Sequence, residues 1–271
     1  MNVATLGPKG TFSHEAVLAY DKDAAISFER TIWDVFDAVD QNKAEVGIVP
    51  LENSLSGSVG ITVDALMRFH LHIIKEVVIP IKHNLAVEGE ESNEEITGVY
   101  THPITYAQSY LYLHRHYPNV AVIETTSNGD SAVRLKRSCR KDRAAIVPQL
   151  AAELYGLTII RRNIQDNKVN MTKFIVVAKE EVARTGNDRT SIAIYPQADK
   201  PGLLYNLLGE FARRKINLTK IESVPSKGKL GDYIFYIEFQ GHKDEQNVAS
   251  ALKTIEQHFF MKILGSYPRS Y

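Results

Sequence analysis

A chain of 271 residues with a formal net charge of +0 and 44% hydrophobic residues can bury a sizeable core and divide into two or three structural units. The charge balance argues against partners that need a concentrated positive field, so neither nucleic acid nor a membrane surface is expected, and no apolar run approaches the roughly 20 residues that span a bilayer. Met1 to Pro8 has no basic stretch followed by an apolar one, which predicts a cytoplasmic protein; the single Cys139 forbids an internal disulfide, and the pairs His70/His72 and His114/His116 lack the companions of a metal site.

In chain order, Val3–Leu6 reads as a strand, followed by a glycine-bounded turn and a helix through Ala16, Val17 and Tyr20 that Thr11 or Ser13 can cap. Helical spacing returns over Ile32–Val39, and Glu45–Val49 reads as the next strand. The strand gives way to Pro50-Leu51-Glu52-Asn53-Ser54-Leu55-Ser56-Gly57, an amide-, hydroxyl- and glycine-rich loop. It reads either as an ordinary turn or as a grip for a small anion beyond a strand end. Ile61–His70 is predicted helical and Ile73–Ile81 a long apolar strand leading into a neighbouring lobe.

The rhythm repeats with strand Gly98–Tyr100, a helix from Thr105 through His114, strand Val120–Ile123, a helix from Asp130 to Ser138, strand Ala144–Val147 and a helix from Leu150 to Tyr155. Ser127 and Asn128 stand just ahead of a helix, where they can cap it, bind an anion with its N–H groups, or do both. The chain returns through Ile159–Ala178, and the charged, small-residue stretch 181–189 reads as a linker. Beyond it, strand Thr190–Tyr195, helix Leu203–Arg214, strand Asn217–Val224, strand Asp232–Gln240, helix Glu245–Phe259 and strand Met261–Tyr267 give the βαββαβ order of a ferredoxin-like sheet.

Several segments in order then carry a family resemblance. They are Gly7-Pro8-Lys9-Gly10-Thr11-Phe12-Ser13, Val49-Pro50-Leu51-Glu52-Asn53-Ser54, His102-Pro103 with Ala107-Gln108, Ser127-Asn128-Gly129-Asp130, Tyr155-Gly156-Leu157 and Asn170-Met171-Thr172-Lys173-Phe174. Together they resemble prephenate dehydratase, and Pro201-Gly202-Leu203-Leu204 with Glu222-Ser223-Val224-Pro225 resembles the ACT domain of amino-acid-regulated enzymes. Three positions depart from the usual pattern: Lys173 stands where Arg is usual, Asn128 where Thr is common, and Val224 where Arg is more frequent.

The resemblance implies an α/β fold, a two-lobed catalytic domain like that of periplasmic binding proteins plus the ferredoxin-like domain. The catalytic domain would cover 1–180, with one lobe at about 1–77 and 159–180 and the other at about 78–158, and the ACT domain 190–271. It also implies a monofunctional lyase that turns prephenate into phenylpyruvate without a cofactor, inhibited by phenylalanine, and assembled as a homodimer or homotetramer. Thr172 matches the catalytic threonine; Thr11, Asn53, Ser54, Ser127, Asn128 and Lys173 are candidate substrate-binding residues. Lys173 is ambiguous, because strand alternation points it away from a cleft that Thr172 faces. Candidate effector residues are Gly202, Leu203, Leu204, Asn217, Leu218, Glu222 and Ser223. Arogenate dehydration and non-catalytic amino-acid sensing are the competing readings.

Overall fold

The structure, a computed structural model, describes residues 1–89, 95–196, 201–226 and 232–270. The chain begins β1 (Asn2–Leu6), α1 (Phe12–Tyr20), β2 (Ala25–Glu29), α2 (Ile32–Asp40), β3 (Val46–Asn53), β4 (Gly57–Ser58), α3 (Gly60–Arg68) and β5 (His72–Pro80). A second run holds β6 (Asn84–Glu88), β7 (Gly98–Thr101), α4 (Pro103–Ala107), α5 (Tyr110–His116), β8 (Ala121–Glu124), α6 (Asn128–Ser138), β9 (Arg143–Val147), α7 (Gln149–Tyr155) and β10 (Leu157–Arg161). β11 (Met171–Ala178) returns to the first sheet, whose order is β2-β1-β3-β11-β5 with β4 on β3; the second sheet is ordered β10-β6-β9-β7-β8. β12 (Asp188–Tyr195), α8 (Leu203–Arg213), β13 (Leu218–Pro225), β14 (Tyr233–Gln240), α9 (Gln246–Glu256) and β15 (Phe260–Pro268) form the expected βαββαβ unit, with sheet order β13-β14-β12-β15. None of the described helices is long and apolar enough to cross a membrane.

By compactness the chain divides into two units, residues 1–35, 48–59 and 77–174, and residues 36–47, 60–76 and 175–271. The first contains the whole second sheet, and period-two alternation sorts its side chains into two apolar layers. Ala86, Ala145 and Val147 face one way with Ala132 and Leu135 of α6 and Ala151 and Ala152 of α7. Leu85, Val87, Ala144 and Ile146 face the other way with Leu113 of α5. The second unit holds the C-terminal sheet, covered by α8 and α9 through Leu207, Phe211, Val248, Leu252 and Ile255 packed on Ile192, Ile194, Ile237 and Phe239.

Two features depart from the sequence reading. The helix expected from Thr105 through His114 is two short helices separated at Gln108–Ser109. His102 caps the first, with Pro103 at its start, and the Asp166 carboxylate caps the second by accepting from Leu111 N at 2.9 Å and Tyr112 N at 3.0 Å. That second cap is supplied from a distant part of the chain, so local spacing carries no sign of it. β2 and β6 were also not anticipated: β2 is only half-buried, and β6 opens with Asn84 and is buried on both faces, so neither shows a strong alternating pattern.

Candidate active site

A cavity of about 390 Å³ in the first unit is lined by the end of β1, the start of α1, the β3–β4 turn and the His102–Gln108 segment, together with Ile81, His83, Thr126–Asn128, Thr172 and Phe174. Among the described residues its lining includes no Asp, Glu, Lys or Arg. Burial holds its histidines His83 and His102 below the ordinary imidazole value, which favours the neutral ring, with the bond to Gln108 opposing the shift at His83 and Glu124 opposing it at His102.

The polar groups are ordered in one direction. The Asn53 Oδ1 accepts from the backbone N–H groups of Leu55 and Ser56, both at 3.0 Å, and backbone N–H can only donate. The Asn53 amide is therefore fixed, and its Nδ2 must face Asn170 Oδ1 at 2.7 Å, the Met171 carbonyl at 3.1 Å and Thr172 Oγ1 at 2.9 Å. With its Oδ1 occupied as an acceptor, Asn170 donates through Nδ2 to Gln108 Oε1 at 2.8 Å, and Gln108 in turn donates to Ser56 Oγ at 3.0 Å. Gln108 Oε1 also faces His83 Nε2 at 2.9 Å, so Nε2 carries the imidazole hydrogen. At the other end, Thr172 receives a hydrogen bond on its oxygen, which leaves its own hydrogen to be donated.

The sequence candidates fall into two groups. Thr11, Asn53, Ser127, Asn128 and Thr172 all line the cavity. Thr11 caps α1 by accepting from His14 N, and Ser127 caps α6 by accepting from Asp130 N at 3.0 Å, so two helix N-termini are directed by cavity residues. Asn128 opens α6, and its Oδ1 accepts from the buried Thr105 hydroxyl at 2.7 Å, which turns its NH₂ group away from Thr105. Gly129 follows because nothing larger fits, as a Cβ there would lie 2.8 Å from the Lys9 carbonyl.

Ser54 and Lys173 lie outside the lining. Ser54 ties the β3–β4 turn to β11, donating its N–H to the Met171 carbonyl at 2.9 Å and accepting from Met171 N at 3.0 Å. Lys173 is 5% exposed and pairs with Glu52 at 3.5 Å, on the face opposite Thr172. Gln108, His83, Thr105 and Ser56 line the cavity beyond the sequence candidates. Gln108 closes the His102–Gln108 segment, but nothing local marks His83 as its partner.

At the C-terminal candidates, Gly202 caps α8 with φ 82°, and Leu203 and Leu204 are half-buried against the sheet core. The Asn217 carbonyl accepts from Gln240 N at 2.9 Å, and Leu218 opens the edge strand β13. Along β13, Leu218, Lys220 and Glu222 are half-buried while Ser223 is exposed, and Glu222 pairs with Lys220 at 3.5 Å.

A cavity that combines apolar side chains with neutral hydrogen-bonding groups, on an α/β scaffold followed by a ferredoxin-like domain, defines a class of protein with a small-molecule pocket and an appended ferredoxin-like unit. Residues 3–182 match the prephenate dehydratase family model and residues 197–257 that of the ACT domain. The bifunctional chorismate mutase/prephenate dehydratase of Aquifex aeolicus is 41% identical over 273 residues, covering 100% of this chain and 74% of that protein. The prephenate dehydratase of Methanocaldococcus jannaschii is 40% identical over 270 residues and covers 96% of each chain. Among solved structures, the prephenate dehydratase of Arthrobacter aurescens in complex with L-Phe superposes with a TM-score of 0.91 at 32% identity, covering 100% of this chain and 90% of that one. The chain belongs to the prephenate dehydratase family and is an enzyme with a C-terminal ACT domain.

Proposed function

We propose that the protein acts as a carbon–oxygen lyase that converts prephenate to phenylpyruvate, carbon dioxide and water, with Thr172 as the donor to the departing hydroxyl. The bond from the ring to its carboxylate breaks, its electron pair enters the ring, and the ring C–O bond breaks as hydroxide leaves along the Thr172 hydrogen bond and takes up one proton drawn, in net, from solvent. Aromatisation drives the step, so the site's task is to stabilise a poor leaving group without tightly holding the carboxylate that must depart. The single observation that carries this reading is the directed series of amide bonds ending on Thr172 Oγ1, which turns the threonine into a committed donor.

Ser127, Asn128 and the helix ends beside them and beside Thr11 suit the carboxylates, since neutral donors and helix N-termini hold an anion without a buried counter-charge. Ser54 and the Lys173–Glu52 pair act one step away, by keeping β3 and β11 in the register that sets the distance from Asn53 to Thr172. The lining favours prephenate over arogenate. An ammonium group would meet positive helix ends and no carboxylate, and leaving it unpaired is expected to lower kcat/KM about 10²-fold or more.

The ACT domain supports feedback by phenylalanine, bound near Gly202, Leu203, Leu204, Asn217, Leu218, Glu222 and Ser223 at the junction of two copies in a cytoplasmic homodimer or homotetramer. Incubation of the pure protein with prephenate and, separately, arogenate tests the reaction. Phenylpyruvate should appear rapidly from prephenate; phenylalanine formed from arogenate with no turnover of prephenate would make the protein an arogenate dehydratase, and a folded protein that turns over neither substrate would overturn the lyase reading.

A further inference from the structure

Within the second unit, the last strand of the C-terminal sheet is fastened to α3 and β5 at three points. Lys262 of β15 donates to the carbonyls of Leu66, Met67 and Phe69 at 2.9, 3.0 and 2.6 Å. An ammonium has three hydrogens, and here all three are spent on the C-terminal end of one helix, where carbonyls lack intrahelical partners and the macrodipole is negative. Three residues on, β15 lies so close to the start of β5 that a Cβ at Gly265 would fall 2.2 Å from the Ile73 carbonyl oxygen. Just past β15, Ser270 N donates to Glu76 Oε1 at 2.7 Å, and Arg189 of β12 holds the other oxygen of the same carboxylate at 2.7 Å.

Both fastened elements continue directly into cavity residues. α3 starts at Gly60, immediately after Gly57, Ser58 and Val59, which line the cavity; β5 ends at Pro80, immediately before Ile81 and, two residues on, His83, which also line it. The turn ahead of α3 is itself paired with β3, Asn53 opposite Gly57, so its position bears on the residue that orients Thr172. A nine-residue helix is a rod of about 13 Å, stiff enough to transmit a displacement at its C-terminal end to its first residue.

We propose that Lys262 is a positioning residue for effector control: it clamps the C-terminal end of α3 to β15, so that a rearrangement of the ACT sheet is delivered along α3 to the Ser56–Val59 turn and thence to Asn53 and Thr172. The inference rests on the reading that phenylalanine binds the ACT domain and inhibits. It differs from that reading in naming the connection, and Lys262 touches neither proposed ligand site.

The test uses the full-length protein. Lys262→Met keeps the length of the side chain and removes the three donors, whereas Lys262→Arg keeps charge and donors. Lys262→Met should retain basal kcat and KM within about twofold and bind phenylalanine by calorimetry within about threefold of wild type, while the phenylalanine concentration for half inhibition rises at least tenfold. Lys262→Arg should restore most of the sensitivity. Hydrogen exchange on the wild type is independent of how any variant folds: phenylalanine should change protection in Gly60–Phe69 and in Ser56–Val59. A wild type that is inhibited with no exchange change in either segment, or a Met variant that is inhibited as strongly as wild type, overturns this inference and leaves the regulatory reading standing. A wild type indifferent to phenylalanine overturns both.

Discussion

Thr172→Val replaces the hydroxyl with a methyl of nearly the same shape and isolates the proposed chemical role. Thr172 is 7% exposed, and its Oγ1 accepts one of three contacts of Asn53 Nδ2. After the substitution that nitrogen keeps Asn170 Oδ1 at 2.7 Å and the Met171 carbonyl at 3.1 Å, so no buried donor is orphaned and the expected loss of stability is about 1 kcal/mol or less. Removing one donor that acts on charge developing in the transition state is worth about 2.7–4 kcal/mol, so kcat should fall about 10²- to 10³-fold. KM should stay within about threefold, because the substrate's neutral hydroxyl gains far less from the donor than departing hydroxide does. Thr172→Ser keeps the hydroxyl but loses the β-branch that restricts χ1, and about a tenfold fall is expected. The assay is phenylpyruvate formation with kcat and KM resolved separately, beside denaturant unfolding of each variant. A folded valine variant turning over within threefold of wild type would remove Thr172 from the chemical step.

Lys173→Met breaks the pair with Glu52 on the side away from the cavity, so it should cost about 1–3 kcal/mol of stability by urea unfolding and leave KM within a few-fold; a large rise in KM without loss of stability would return Lys173 to the substrate. Glu15→Gln should change stability in a pH-dependent way. Burial pushes the Glu15 carboxyl from 4.5 up to about 7, so its folded form holds a proton that the unfolded form releases, and its favourable contribution, complete below about pH 4.5, is lost as pH rises to about 7. Glutamine mimics the protonated acid, so the variant should be about 1–2 kcal/mol more stable than wild type at pH 8, after allowance for partial exposure, and indistinguishable at pH 4. Ending the chain near Gly186 removes the partners of Glu76, which is 1% exposed, and the cap on α3. The truncated form should therefore lose phenylalanine binding together with several kcal/mol of stability, and a truncated protein that still binds phenylalanine would place the effector site elsewhere.

The helices and strands with strong periodicity were legible because each buries one face. The amphipathic Leu203 helix needs no information beyond its own spacing, and β12 and β14, buried at successive positions, are legible as short apolar runs. The break at Gln108–Ser109 was not legible, since Asp166 imposes it from more than 50 residues away. The same limit applies to the site. Asn53, Thr172, Ser127 and Asn128 announce themselves as polar residues at strand ends and helix starts. His83 sits inside an apolar run and joins them only because Gln108, from another segment, offers a carbonyl oxygen at 2.9 Å. Strand alternation leaves Lys173 ambiguous, a substrate-binding candidate on a position that points away from Thr172, and nothing local marks Glu52 as its partner at 3.5 Å.

Two of the three departures from the family pattern, Lys173 and Asn128, acquire a common physical sense once the cavity's charge is considered, whereas nothing in the structure explains Val224. A dianionic substrate that must shed one carboxylate as carbon dioxide is poorly served by a fixed cation, which would stabilise the bound carboxylate more than the transition state in which that charge disperses. Neutral amides, hydroxyls and helix ends can hold carboxylates while leaving this difference small. On that argument Lys173 can replace Arg because the position serves a carboxylate of the protein, Glu52, for which a point charge at 3.5 Å suffices and a bidentate fork is not needed. Asn128 can replace Thr for the complementary reason. With its oxygen held by Thr105, it presents an amide donor from the first residue of α6, next to the N-terminal dipole, and adds no charge to the lining.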